Sequence, residues 1–207
     1  MIRFLCLLLA LAPVLSSCHA PTLSTTRIQI AKDATFDLLP PAALGQEVSL
    51  EQIVDARYGD QKFSFHCLLE VDAQQLVLVG MTPMNTRAFT LTLRGDQLTV
   101  EVAPGARLPA EPARILADLQ LALWPELPTV HGLAVLLAGM DQYGRRMRLL
   151  QREGAVVIQV TYDIEATSGA PLTGDPNQRW SRVLRFEHAE QNYDLTVRTV
   201  RAEKLAP

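Results

Sequence analysis

QKFSFHCLLEV, residues 61–71, decides the fold. Phe63, Phe65, Cys67, Leu69 and Val71 occupy the odd positions, while Lys62, Ser64, His66 and Glu70 fall between them. Side chains alternate across a β-strand, so this spacing predicts a strand in a sheet with one dry face and one wet face. The neighbouring stretches repeat the pattern. Glu47 to Tyr58 puts Val48, Leu50, Val54 and Tyr58 together, and Ala88 to Leu93 sets Phe89, Leu91 and Leu93 opposite Thr90 and Thr92. Asp72-Ala73-Gln74 interrupts the chain before LVLVG, and Gly95-Asp96 interrupts it before LTVEV, as hairpin turns do. Farther on, five more strands are predicted at about Leu133–Ala138, Arg145–Gln151, Val156–Tyr162, Arg182–His188 and Tyr193–Val200. Gly154, the loop ATSGAPLTGDPNQ and Glu190-Gln191-Asn192 supply the turns between the last of them. The sum is a mainly β chain with few helices, an antiparallel meander of about ten strands. Such a sheet curls, and if it does not close it forms a half-barrel with a greasy concave side.

One segment departs from period two. In ILADLQLALWP, residues 115–125, a helical wheel places Ile115, Leu116, Leu119, Ala122 and Leu123 on one broad stripe and Ala117, Leu121 and Trp124 on a second. Asp118 and Gln120 fill the seams. Pro112 suits a first turn and Pro125 a stop, so a helix is expected over about 112–124, on the concave face of the sheet. A helix apolar on two sides must be covered on two sides. Two readings stay open: a core helix packed between the sheet and a loop, or a helix with one stripe on the sheet and the other lining a lipid-sized cavity. For the second, the candidate lining residues are Leu116, Leu119, Leu121, Leu123 and Trp124 from the helix, with Phe63, Phe65, Phe89 and Leu91 from the strands. Ordinary core packing is the competing role for every one of them.

The amino terminus explains where such a domain works. MIRFLCLLLALAPVLSS has one charge, Arg3, then an apolar run from Phe4 to Leu15 that is too short for a bilayer span, which reads as a secretory signal over residues 1–17. Leu15-Ser16-Ser17-Cys18 resembles the bacterial lipobox. That resemblance implies cleavage before Cys18, a diacylglyceryl thioether on its sulfur and an acylated amino group, with palmitate-type chains holding the protein to a membrane. His19 follows in place of the aspartate that marks retention at the inner membrane, so the resemblance points to the outer membrane, facing the periplasm. Residues 18–27 then form a tether and residues 28–207 a single domain. Losing Arg3 leaves 18 basic against 22 acidic side chains, a formal net of −4, and no basic run that would bind nucleic acid. Cys6 leaves with the signal and Cys18 is acylated, so Cys67 is the one thiol remaining and a disulfide within the chain is excluded.

LGQEVSLEQ, TPMNTRAFTLTLRGDQL, ILADLQLALWP and RFEHAEQNYDLTVRTV resemble a family of bacterial outer-membrane lipoproteins of unknown function, over about Phe36 to Val200. Its members are often encoded beside enzymes that make aryl polyene lipids, with a LolA-like carrier and a lipid exporter nearby. Asn85 stands where the family would have Gly, and Asn tolerates positive φ. The resemblance implies a fold similar to LolA and LolB, the periplasmic lipoprotein carrier and its outer-membrane receptor, whose half-barrels are covered by helices. It also implies a lipid, aryl polyene lipid or lipoprotein acyl chain as ligand and a LolA-like carrier as partner.

Nothing in the sequence points to catalysis. HExxH, CxxC, GxSxG, P-loop and dinucleotide fingerprints are absent, and His66, His131 and His188 are scattered. The expectation is a monomeric protein that is not an enzyme and holds no metal or cofactor. His66 and Cys67 point to opposite faces of a strand, which leaves Cys67 as a small hydrophobe. Asp118 is either a buried acid or a partner for Arg114 one turn earlier. The Arg145-Arg146-Met147-Arg148 cluster is either a solvated strand face or a phospholipid headgroup contact. Two functions remain: a binding module that accepts an apolar cargo in its concavity and passes it to the outer membrane, or an anchored interaction protein with a filled core.

Overall fold

The computed structural model describes residues 22–23, 27–106, 108, 110–140, 143, 145–163 and 183–205. The signal, Cys18 and the ATSGAPLTGDPNQ loop lie outside the described residues. The molecule is mainly β. Its chain runs through β1 (Thr22–Leu23), β2 (Arg27–Ala31), β3 (Ala34–Asp37), β4 (Val48–Tyr58), β5 (Gln61–Val71), β6 (Gln75–Met81), β7 (Arg87–Arg94) and β8 (Gln97–Val102). The helix α1 (Pro112–Leu123) follows, then β9 (Val130–His131), β10 (Ala134–Met140), β11 (Arg146–Arg152), β12 (Ala155–Asp163), β13 (Val183–His188) and β14 (Tyr193–Lys204).

Ten of these strands, with the two-residue β1 added at one edge, form an antiparallel sheet in the order β1-β8-β7-β6-β5-β4-β14-β13-β12-β11-β10. The order is two meanders laid back to back. β4 to β8 make one and β10 to β14 the other, joined where β4 and β14 pair from Tyr58 opposite Tyr193 to Val48 opposite Lys204. Among the described residues the two outer edges do not pair, so the sheet stays open as a half-barrel. The predicted alternation holds in β5, where Phe65, Cys67, Leu69 and Val71 are buried and Lys62, Leu68 and Glu70 are exposed.

This topology explains why a helix is needed. The first meander ends at one edge of the sheet in β8, and the second begins at the opposite edge in β10. The link must cross the concave face, where water is excluded and every backbone polar group needs a partner. A helix satisfies its own backbone, and α1 makes that crossing. Pro112 occupies its first turn, and Trp124, in an extended conformation, ends it by donating its N–H to the Gln120 carbonyl at 2.9 Å.

A second layer was not expected from the sequence. The stretch read as tether and first ordered residues forms the hairpin β2–β3, which β9 extends to a three-stranded sheet. It packs on the outer side of α1 through β2, with Ile28, Ile30 and Phe36 buried in the core. Thr22 and Leu23, also within the expected tether, pair with Thr99 and Leu98 of β8.

Candidate functional site

Between α1 and the concave face lies an apolar cavity of about 90 Å³. Its floor comes from both meanders: Val54, Ala56 and Tyr58 of β4, Phe65 and Cys67 of β5, Leu184 and Phe186 of β13, and Leu195 and Val197 of β14. Leu78 and Phe89 close one flank, and Ile115, Leu119, Ala122 and Leu123 of α1 form the roof. Ile115, Leu119 and Leu123, spaced four apart on one face of the helix, are only half-buried, whereas helix residues on other faces are sealed.

Of the two helix stripes, the one that carries Ile115, Leu119, Ala122 and Leu123 lines the cavity. Ala117, Leu121 and Trp124, the other stripe, are fully buried and do not touch it. The hairpin β2–β3 and β9 add a layer on the outer side of the helix, so the second stripe is core. Of the nine candidate lining residues, Phe65, Phe89, Leu119 and Leu123 meet at the cavity. Leu91, Leu116, Leu121 and Trp124 are at most marginally exposed and pack elsewhere in the core. Phe63 stands just outside: its ring stacks on Phe65 at 6.4 Å and meets Tyr58 edge-on at 6.2 Å. Phe65 in turn meets Phe89 edge-on at 5.6 Å, giving an aromatic row that runs from the half-buried Phe63 into the cavity. Phe89 can lie there because its cross-strand partner is Gly80, where any Cβ would overlap its ring.

Polar groups enter the lining at few points. Gln52 is buried on the dry face and donates to the Thr199 hydroxyl at 3.3 Å. Asp118 has both oxygens engaged: Arg114 donates from Nε at 2.9 Å, and the Tyr193 hydroxyl donates at 2.6 Å. Arg114 also donates to that hydroxyl at 2.7 Å and to the Gln29 carbonyl at 3.1 Å. Burial pushes the Asp118 carboxyl above the usual carboxylate range, against the pull of Arg114 and Tyr193. The expected partnership of Arg114 and Asp118 is therefore present, and it bolts α1 to β2 on one side and β14 on the other. Tyr193 is held by stacking with Tyr58 at 4.7 Å and His188 at 5.1 Å. Burial raises the Cys67 thiol to about 12, so the sulfur that faces the cavity stays a neutral apolar group.

The basic cluster also has a different role. Arg148 is buried on the concave side of β11 and donates to the carbonyls of Leu121 and Pro125, where the helix ends and its dipole is negative. Tyr162 adds a hydrogen bond to the Ala122 carbonyl at 2.7 Å. Arg145 lies 3.6 Å from Asp163. Neither expected role, solvated strand face or headgroup contact, fits Arg148, because an unpaired run of carbonyls at a buried helix end required a donor.

Sequence reading did not name Gln52, Val54, Ala56, Tyr58, Cys67, Leu78, Ile115, Asp118, Ala122, Leu184, Phe186, Leu195 or Val197 as lining. Ala56 and Gln52 share the alternation of Leu50 and Val54, and Phe186, Leu195 and Val197 follow it in their own strands, so the signal was present. What was absent was the pairing of β4 with β14, which alone brings them together. Among the described residues no group of three or more His, Cys, Asp or Glu side chains could hold a metal ion.

No curated protein matches this sequence. Among solved structures, the chain is similar to a LolA superfamily protein from Nitrosomonas europaea, at 8% identity and a TM-score of 0.42 over 78% of this chain and 87% of that one. It is also similar to a DUF1329 family protein from Desulfovibrio piger, at 10% identity and a TM-score of 0.40 over 80% and 94%. A domain described as an outer membrane lipoprotein-sorting protein, from Vibrio parahaemolyticus, aligns at 4% identity and a TM-score of 0.41 over 78% and 86%. Residues 49–201, most of the chain, match the model of a family described as proteins of unknown function, DUF3261, and the chain belongs to that family.

Proposed function

We propose that this protein is a lipoprotein anchored by acyl chains on Cys18 to the periplasmic face of the outer membrane, where it accepts an apolar cargo in the cavity under α1. The observation that carries the reading is the half-buried stripe Ile115, Leu119 and Leu123, which lines the cavity opposite its apolar floor and keeps an exposed rim. Buried apolar area supplies the binding energy, at about 25 cal/mol per Å². Apolar voids of about 150 Å³ stay dry and take up molecules the size of benzene. A space of about 90 Å³ therefore admits part of an acyl or polyene chain, and the half-buried rim carries the remainder. The chemistry is binding and release, with no covalent step. A carrier of the LolA kind supplies the cargo, and aryl polyene lipid is the first cargo to try, together with phospholipid and lipoprotein acyl chains.

The test is native mass spectrometry with organic extraction on the domain beginning after Cys18, purified from cells that make these lipids. Leu119 is half-buried, so Leu119→Arg places a guanidinium in the cavity mouth while its charge reaches water. Lipid retained by the wild type and lost from a folded Leu119→Arg variant supports the reading. A clean protein mass, with no uptake of a dansyl-labelled fatty acid, overturns it and favours an anchored interaction protein.

A further inference from the structure

The register of β1 fixes the corner at which its amino-terminal end meets the sheet. Leu23 pairs with Leu98 and Thr22 with Thr99, antiparallel, so the amino-terminal end of β1 points toward the Val102 end of β8. Cys18 is four residues before Thr22. At about 3.3–3.6 Å per residue, four residues reach at most about 14 Å. An anchor on so short a leash holds that corner of the domain against the lipid.

The same corner carries two exposed apolar side chains, beside the ion pair of Arg87 and Glu101 at 3.9 Å. Val102 pairs with Phe89 near the start of β7, and the turn from β6 to β7 comes just before it, so the turn and Val102 lie at one end of adjacent strands. Val102 is 43% exposed and Met84, within the turn, is 86% exposed. The turn Thr82-Pro83-Met84-Asn85-Thr86 bears no charge. It is braced by Thr82 N–H donating to Thr86 at 2.8 Å, by Asn85 N–H donating to Thr82 at 2.8 Å, and by Asn85 at φ 56°. The opposite ends of these strands turn through Asp72 and Asp96, acidic side chains that anionic headgroups would repel.

We infer that the β6–β7 turn, with Met84 at its tip and Val102 beside it, is a docking surface for the bilayer that holds the acyl chains of Cys18. This rests on the acylation of Cys18 in the proposed function. It fixes the domain's orientation, with the Met84 corner in the headgroup region and the Asp72 and Asp96 turns in water.

The experiment uses the full-length lipoprotein in vesicles of phosphatidylethanolamine and phosphatidylglycerol. Met84→Cys and Asp96→Cys, at opposite ends of β7, are each labelled with an environment-sensitive fluorophore and challenged with lipids brominated on the acyl chain. The buried Cys67 thiol does not compete for label. The Met84→Cys label is expected to shift blue and lose most of its emission to bromine, while the Asp96→Cys label keeps its aqueous spectrum. Equal quenching at both sites, or quenching at Asp96→Cys alone, on protein whose mass includes the acyl chains overturns the orientation and leaves the anchor intact. A chain recovered without acyl chains overturns the anchor itself, and the inference falls with it.

Discussion

His188 occupies a position where neutral imidazole is built into the hydrogen bonding. Its Nε2–H donates to the Ile30 carbonyl at 2.7 Å, and its Nδ1 accepts from the Gln191 N–H at 3.2 Å. A proton on Nδ1 would face a donor. Burial lowers the His188 pKa, the carbonyl of Ile30 opposes that shift, and the nearby Arg114 charge adds to it. The groups facing the ring are Tyr193, Arg114, Asp118 and Glu190. Because the folded chain holds the neutral ring and the unfolded chain titrates near 6.5, the stability this residue contributes is complete above that pH and is lost as pH falls through the lower folded value. Thermal melts from pH 7.5 downward should show a decline beginning just below pH 6.5. His188→Gln should be less stable at pH 7.5 by about 1–3 kcal/mol, from the disturbed bond to Ile30, and should lack the decline. A variant that keeps the same slope would remove His188 as its source. None of this was legible in the sequence, where His188 is one of four scattered histidines and Ile30 lies 158 residues away.

At the scale of the element, α1 is fastened rather than laid on. Gln120 exchanges two hydrogen bonds of 2.8 Å with the backbone of Leu39, Arg114 and Asp118 join β2 to β14, and Arg148 and Tyr162 hold the carbonyl end. Residues that the wheel placed in the polar seams are thus the fastenings. The sequence showed two apolar stripes and their polar seams. It did not show which stripe was sealed, because that depends on the small sheet, whose strands RIQIA and ATFD are too short to announce themselves. The pair Arg114–Asp118 sets a sharp expectation. Asp118→Leu leaves a buried guanidinium without its anion and should cost about 3–5 kcal/mol, whereas the double variant Asp118→Leu with Arg114→Leu should recover much of that loss, since burying two charges has its own cost. Urea denaturation reads both. A double variant no better than the single one would mean that Tyr193 and the Gln29 carbonyl, not the lost charge, set the penalty.

Across the whole molecule, the two meanders close on each other at β4 and β14, strands separated by nearly the full length of the domain. Alternation and turns made each meander legible, but no local feature specifies a partner so far along the chain. That closure sets the cavity floor, and the crossing from edge to edge sets its roof. It also bears on how the proposed cargo would get in. A lid lifts by giving up few contacts, but α1 has the main sheet below it, the β2–β3–β9 sheet outside it and buried polar bonds at both ends. On the proposed function, cargo enters along the half-exposed rim beside Ile115, Leu119 and Leu123, with the helix in place. Amide hydrogen exchange separates the two routes, because protection tracks the free energy of local opening. Amides in the middle of α1 should exchange as slowly as those of β5, with or without a fatty acid bound, and binding should slow exchange chiefly along the rim. If instead α1 exchanges orders of magnitude faster than β5 in the empty protein and becomes protected on binding, the helix is a lid and the fastenings at Arg114, Gln120 and Arg148 are weaker than their geometry implies.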